Sequence, residues 1–88
     1  MADQTPSPEE LEALQEQLAS LGIEDFLVSA ASTVASLAYA KLERGDLAEA
    51  KKGIDALASL VPHLSGDFRR DLSATLASLQ VAYATAAT

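Results

Sequence analysis

The amino-acid sequence predicts an all-α protein: a compact four-helix bundle with a central helical hairpin and a peripheral acidic N-terminal helix. Apolar residues recur every three or four positions in four separate segments. Helix start and stop signals, rich in glycine, proline, serine and aspartate, lie between those segments. A chain of 88 residues allows one domain with a small core. We expect residues 1–6 to be disordered and residues 7–88 to form a single helical domain, with helices at about 8–21, 24–43, 47–61 and 66–84.

The first helix has a well-defined start. Ser7 can cap it, Pro8 suits the first helical position, and Glu10 stands where a capping box places its carboxylate. Four leucines then follow at helical spacing, and we call them the leucine stripe: Leu11, Leu14, Leu18 and Leu21. Glutamates occupy the other side. The pattern predicts a surface helix packed by its leucine stripe, which is also a candidate docking site for a partner protein.

The second helix has no charged face over four turns. One side carries the apolar residues Leu27, Ala31, Val34, Ala38 and Leu42, widened by Ala30 and Leu37. The opposite side carries small uncharged residues: Ser29, Thr33, Ser36 and Ala40. Such a helix is usually buried nearly all round, so we expect it at the centre of the bundle. The small face is a candidate surface for self-association.

The hairpin over residues 34–62 joins the second and third helices. Gly45 can adopt the left-handed conformation that ends a helix, and Asp46 with Glu49 forms an Asp-x-x-Glu capping box. The third helix has a seam of alternating three- and four-residue spacing: Leu47, Ala50, Ile54, Leu57, Val61 and Leu64. Gly53 costs helix stability, and either a close helix crossing or a solvent-facing position would explain it.

The fourth helix starts after Ser65 and carries two apolar lines. Its main seam is Phe68, Leu72, Leu76, Leu79 and Tyr83. A second line, which we call the α4 line, is Ala74, Ala77, Val81 and Ala84. One helix cannot present both lines to the same small core. Either this helix is widely buried, or the α4 line meets another chain.

Composition and charge exclude several classes of function. The chain has no cysteine, so disulfides and thiolate metal sites are excluded. The net charge of −7 belongs to the segment before Phe26, and the acidic and basic residues cancel from there onward. Such a balance offers no basic surface for nucleic acid or anionic lipid. The uncharged run 26–40 is too short to span a membrane, and the N-terminus lacks a signal-peptide pattern, so a cytoplasmic location is expected.

A family resemblance covers roughly residues 25–83. It is carried by the Ser36-Leu37-Ala38 run, the Ala50-Lys51-x-x-Ile54-Asp55-x-Leu57 segment, and Leu72, Leu76 and Leu79 before Tyr83. These resemble a small bacterial all-helical family catalogued only as a domain of unknown function. The resemblance implies a compact helical fold and no assigned activity. The acidic N-terminal helix lies outside it.

The hairpin is also similar to a tetratricopeptide repeat, through Leu37-Ala38, Gly45-Asp46-Leu47, Ala50, Ile54 and Pro62. Lys41 and Leu57 depart from that motif, where an aromatic residue and alanine are usual. Neither flank repeats the pattern, although three or more units are the norm. The match is typical of any tight antiparallel helix pair.

No group of residues has the pattern of a catalytic or metal site. His63 is the only histidine and has no companion ligand or nucleophile in the sequence pattern. The carboxylates of the first helix indicate a solvated helix face and not a cation site, and the alternative for them is docking onto a basic surface of a partner. They are Glu9, Glu10, Glu12 and Glu16. The cations around the hairpin turn, Lys41, Arg44, Lys51 and Lys52, alternate with carboxylates and have no glycine-rich phosphate loop. We therefore expect no enzymatic activity, cofactor, metal or small-molecule substrate.

The leading functional hypothesis is a structural or interaction module that self-associates, as a homodimer. It depends on the alanine-rich core, the uncharged second helix and the α4 line. The alternative is an adaptor that binds another protein through the hairpin groove or the acidic first helix.

Overall fold

The computed structural model describes residues 7–88, so the predicted disorder of residues 1–6 lies outside the described residues. The described chain forms four α-helices and one 3₁₀ turn: α1 (Pro8–Ser20), α2 (Ile23–Glu43), α3 (Leu47–Leu60), the turn Val61–His63, and α4 (Gly66–Ala86). Residues 7–88 contain no strand, and the all-α class is confirmed. Each helix begins and ends within two residues of the predicted position.

Helices α2, α3 and α4 pack against one another as a three-helix bundle. The tight turn after α2 makes α3 antiparallel to it. The Ser65 hydroxyl at the start of α4 donates a hydrogen bond of 2.8 Å to the Glu24 carboxylate at the start of α2. The two helix starts therefore lie together, and α4 runs parallel to α2. The topology is up-down-up.

The core is small and rich in alanine. The buried apolar residues are Ala31, Ala35, Ala38, Ala50, Ile54, Leu57, Val61, Leu64, Leu72 and Leu79. Leu57 and Leu79 are its largest fully buried side chains. The predicted seam of α3 lies in this core except for Leu47, which is half-buried. Phe68 was predicted in the α4 seam and is 55% exposed, because it lies at the first turn of α4, beyond the end of the core.

The α2–α3 turn ends α2 with a full set of backbone hydrogen bonds. Gly45 has a φ of +75°, in the left-handed region. The amide of Asp46 donates to the carbonyl of Lys41 at 2.9 Å, and the amide of Gly45 donates to that of Leu42 at 3.0 Å. This is a Schellman motif, which satisfies carbonyls that the helix end would leave unpaired. The Asp46 carboxylate then caps α3 by accepting from the Glu49 amide at 3.3 Å.

We expect Gly45→Ala to lower the free energy of unfolding by about 1–2 kcal/mol, because a Cβ is strained in the left-handed region. No heavy atom lies within 4 Å of that added Cβ, so the loss would come from backbone strain alone. Urea unfolding followed by circular dichroism measures it. Gly45→Asn is the matched variant and should lose less, since asparagine tolerates this conformation. Equal losses for the two variants would contradict the explanation.

Helix α1 lies outside the bundle. Ser7 caps it as predicted, accepting from the Glu10 amide at 3.2 Å. Within residues 7–88, α1 makes no contact with α2, α3 or α4, and its axis meets that of α2 at 88°. The predicted packing of the leucine stripe against the bundle is therefore wrong, although the helix is peripheral. The projecting helix raises the radius of gyration to 17.1 Å, above the roughly 13 Å expected of a compact 100-residue domain.

Helix α2 is buried on one side only. Its core face is formed by Ala31, Ala35 and Ala38, while Ser29, Thr33, Ser36 and Ala40 are all exposed. Leu37, predicted to widen the buried stripe, is 57% exposed. The expectation that α2 is buried nearly all round is wrong for the single chain. Three helices arranged around one core cover only the inner side of each, and α1 is not placed to cover the outer side.

Candidate interaction surfaces

The leucine stripe of α1 is fully available to a partner. Its four leucines are between 45% and 66% exposed, and none contacts the bundle. Pro8 and the Ser7 cap start the helix, and a two-residue extended connection, Leu21-Gly22, joins it to α2. The stripe is thus held on a formed helix that stands apart from the core.

The outer side of α2 carries an apolar seam that the sequence analysis missed. It consists of Phe26, Ala30, Thr33, Leu37 and Ala40, and we call it the outer seam. All but the half-buried Ala30 are exposed. Ala30 and Leu37 are predicted in the core stripe from the sequence, and Phe26 has no predicted position. The signal was available, because these residues are spaced by four, three, four and three on the face opposite Ala31 and Ala38.

The predicted self-association residues stay on the surface of the single chain. Ser29, Thr33, Ser36 and Ala40 lie on the outer side of α2, and Thr33 and Ala40 belong to the outer seam. On α4, Ala74, Ala77, Val81 and Ala84 are all exposed, opposite the buried Leu72 and Leu79. The two sets lie on different helices, α2 and α4, so they form two separate stripes and not one row of residues.

A shallow groove lies between α2 and α3 where the two helices cross. Its volume is about 230 Å³, and its lining includes Val34, Leu37, Lys41, Lys52, Gly53 and Ala56. A Cβ on Gly53 would lie 3.1 Å from the Ala38 Cβ, so the close crossing explains this glycine. The ammonium groups of Lys41 and Lys52 border the apolar floor together with the Glu49 carboxylate, which lies 3.2 Å from the Lys52 ammonium. With Lys52 neutralised in this way, the groove lining keeps one net positive charge, so the groove suits a mainly apolar segment that carries some negative charge.

The cations near the hairpin turn do not converge on one point. The Lys52 ammonium lies 3.2 Å from the Glu49 carboxylate, and the Lys51 ammonium lies 2.9 Å from that of Asp55. The hydrogen bond from Lys51 to Asp55, with the attraction between their charges, raises the pKa of Lys51. Glu49 thus pairs with Lys52 instead of completing the capping box. The outer side of α3 is a mixed-charge solvent face, as the sequence pattern indicates.

The described residues hold no arrangement suited to metal binding. In residues 7–88 no three His, Asp or Glu side chains are placed to share an ion, and the glutamates of α1 do not converge. His63 is exposed at the end of the 3₁₀ turn. Among the described helices, none alone is long and apolar enough to cross a membrane, whereas α1 and α2 meet that length and composition test only as a pair bent by 88°.

Comparisons with protein-family models, with curated proteins and with solved structures found no match for this chain. The resemblances to a bacterial helical family and to a tetratricopeptide repeat therefore stay predictions.

Proposed function

We propose that this chain is a small non-catalytic structural or interaction module that self-associates, as a homodimer. The observation that carries the proposal is the distribution of large apolar side chains in residues 7–88. The core fully buries six of them and seven more pack against it half-buried, whereas ten are exposed: Leu11, Leu14, Leu18, Leu21, Ile23, Phe26, Leu37, Tyr39, Phe68 and Val81. Single exposed apolar residues are normal on soluble monomers, but the leucine stripe and the outer seam each align several on one helix face, and such patches mark interaction sites.

The distribution of charge supports the same proposal. The outer side of α3 carries lysines and carboxylates in ion pairs, as a solvent face should. The outer seam of α2 and the α4 line carry no charged residue. Surfaces that remain in water can accept charge without loss, so the uncharged outer seam of α2 and the α4 line beyond Arg70 favour burial in an assembly.

A second copy is the partner that needs no further assumption. A core made largely of alanine buries little apolar area per residue, and small domains commonly gain stability by oligomerising. Homo-oligomers with two-fold symmetry are the commonest kind, and their interfaces join the same surface patch on both subunits. The homodimer is expected to be more resistant to thermal unfolding as the protein concentration rises.

The test is the native mass of the purified chain. Sedimentation equilibrium over a concentration series, from about one to one hundred micromolar, spans the affinities of weak and stable dimers. We expect a mass of twice 9.2 kDa at the upper concentrations. A mass of 9.2 kDa across the whole series would remove the proposal.

The second candidate is an adaptor that binds another protein through α1, and the exposed leucine stripe favours it. No docked helix has to be displaced before a partner binds, since α1 contacts no other described helix. The same observation predicts that deleting residues 1–22 leaves α2–α4 folded. Circular dichroism should keep a cooperative transition for the shortened chain. Loss of that transition would mean that α1 contributes to the core in solution.

A further inference from the structure

We infer that the dimer forms by reciprocal packing of α1 from each copy along the outer seam of α2 in the other copy. The inference rests on the proposed self-association and names the surfaces that carry it. Each copy contributes both surfaces, so the interface is isologous and closes after two chains.

The two apolar surfaces are mirrored in sequence about Gly22. Counting away from that glycine, Leu18 and Phe26 lie four residues out, Leu14 and Ala30 eight, and Leu11 and Thr33 eleven. Leu21 and Ile23 are its immediate neighbours. Over the first eleven residues on either side of Gly22, about 16 Å of helix, both surfaces therefore follow the same steps of four, four and three residues, and the outer seam continues beyond them to Ala40. Two antiparallel helices with this spacing can interlock over that shared length.

Side-chain sizes along the two surfaces are complementary. Two of the paired positions bring a leucine opposite a small residue, Leu14 with Ala30 and Leu11 with Thr33. At the α1–α2 corner, Leu18 pairs with Phe26, and Leu21 with Ile23. Away from the corner, leucines opposite small residues allow the two helices to approach closely. At the corner, large residues on both helices fill the space between them.

A two-fold rotation about an axis parallel to the bisector of the angle between α1 and α2, offset from their plane by half the helix packing distance, about 4–5 Å, produces this pairing. Because that rotation exchanges the two arms of the corner, each α1 becomes antiparallel to the partner's α2. Positions equally distant from Gly22 then lie opposite each other. The observed angle of 88° needs no change, whereas folding α1 back along its own α2 would require the chain to reverse direction across a two-residue connection.

Charge favours the antiparallel orientation over the parallel one. All the charged residues of α1 are glutamates: Glu9, Glu10, Glu12 and Glu16. In the antiparallel pairing, the first turn of α1 lies near Leu37 of the partner, beside the groove whose charged lining residues, Lys41, Lys52 and Glu49, sum to one positive charge. A parallel pairing would instead bring that acidic turn next to Glu24 and Asp25. The net positive charge of the groove and the repulsion in the parallel alternative both favour the antiparallel direction.

The first experiment compares oligomeric mass for matched variants of α1. Leu14→Glu and Leu18→Glu place a charge within the leucine stripe, and Ala19→Glu places the same charge outside the stripe, about 100° around the helix from Leu18. We expect at least a tenfold weaker dimer for each leucine variant and an unchanged dimer for Ala19→Glu. Phe26→Glu, on the outer seam, should weaken the dimer to a similar degree while the helix content stays constant.

The second experiment uses the absence of cysteine from the chain. A mixture of Leu14→Cys chains and Ala30→Cys chains should form a disulfide-linked species of twice the chain mass on mild oxidation. Ala19→Cys mixed with Ala30→Cys should not. Any bond between two singly substituted chains joins different molecules, so the product reports packing in the partner. The double variant Leu14→Cys/Ala30→Cys should likewise yield linked dimers.

The outcomes separate this inference from the proposed function. If the wild-type chain dimerises and the variants Leu14→Glu, Leu18→Glu and Phe26→Glu dimerise equally well, the inference is overturned. Self-association then stands, and the α4 line is the remaining candidate surface. If the double cysteine variant forms only a bond within one chain, α1 packs on its own α2 and the inference is also overturned. A monomeric wild-type chain would overturn both.

Discussion

Replacing Leu57 by alanine is expected to lower the free energy of unfolding by about 2–5 kcal/mol. Leu57 lies on α3 at 0% exposure, in the core cluster that joins all three helices of the bundle. Truncation removes its apolar contacts and leaves a cavity that rigid neighbouring helices fill only in part. A chain of this length has a total stability of roughly 4–13 kcal/mol, so the variant loses a large share of it.

The matched control for Leu57→Ala is Leu18→Ala, which makes the same chemical change on α1. Leu18 is 66% exposed and contacts no bundle helix, so its truncation should change the stability of the monomer by less than about 0.5 kcal/mol. Urea unfolding at about one micromolar or below compares the two variants with least contribution from self-association. A loss for Leu18→Ala close to that for Leu57→Ala would mean that α1 packs into the core.

Replacing Gly53 by valine is expected to cost about 1–3 kcal/mol of stability, with partial opening of the α2–α3 crossing. The new Cβ would lie 3.1 Å from the Ala38 Cβ and 3.9 Å from a Val34 methyl carbon. The two branch methyls of valine add further volume at a point where Ala38 is already buried. Valine also has a stiff χ1 in helices, which limits its escape into the groove.

Two further variants test whether steric crowding explains the Gly53 result. Ala48→Val changes an exposed position on the same helix and should cost only the few tenths of a kcal/mol by which valine lowers helix propensity. Gly53→Ala should be nearly neutral, because its gain of up to about 1 kcal/mol in helix propensity offsets a single tight contact. Equal losses for Gly53→Val and Ala48→Val in thermal unfolding would show that the crossing tolerates added volume.

Local signals in the sequence were sufficient to place the helices. Ser7 with Pro8 starts α1, Gly45 ends α2, and Asp46 starts α3, each through hydrogen bonds or backbone conformations that depend on near neighbours. The seam of α3 was also predictable, because its outer side is charged and leaves only one face for the core. Interactions within a few residues of one another can be inferred without knowing the fold.

The inner and outer sides of α2 could not be told apart in this way. Both sides are uncharged, so the pattern does not show which one faces the core, and Leu37 was assigned to the wrong side. The sequence also leaves both explanations of Gly53 open, because the close helix crossing depends on Ala38, fifteen residues earlier in the chain. These features arise from contacts between helices and become visible only when their axes are placed.

The sequence by itself determined that the chain is helical, where each helix begins and ends, and which face of α3 is apolar. Those properties depend on backbone hydrogen bonding and on caps that act over three or four residues. Only the tertiary structure decided that α1 stands free of the bundle at 88° and that the outer seam of α2 remains uncovered. The physical reason is that an apolar face on a helix has the same spacing whether its own chain or another one covers it.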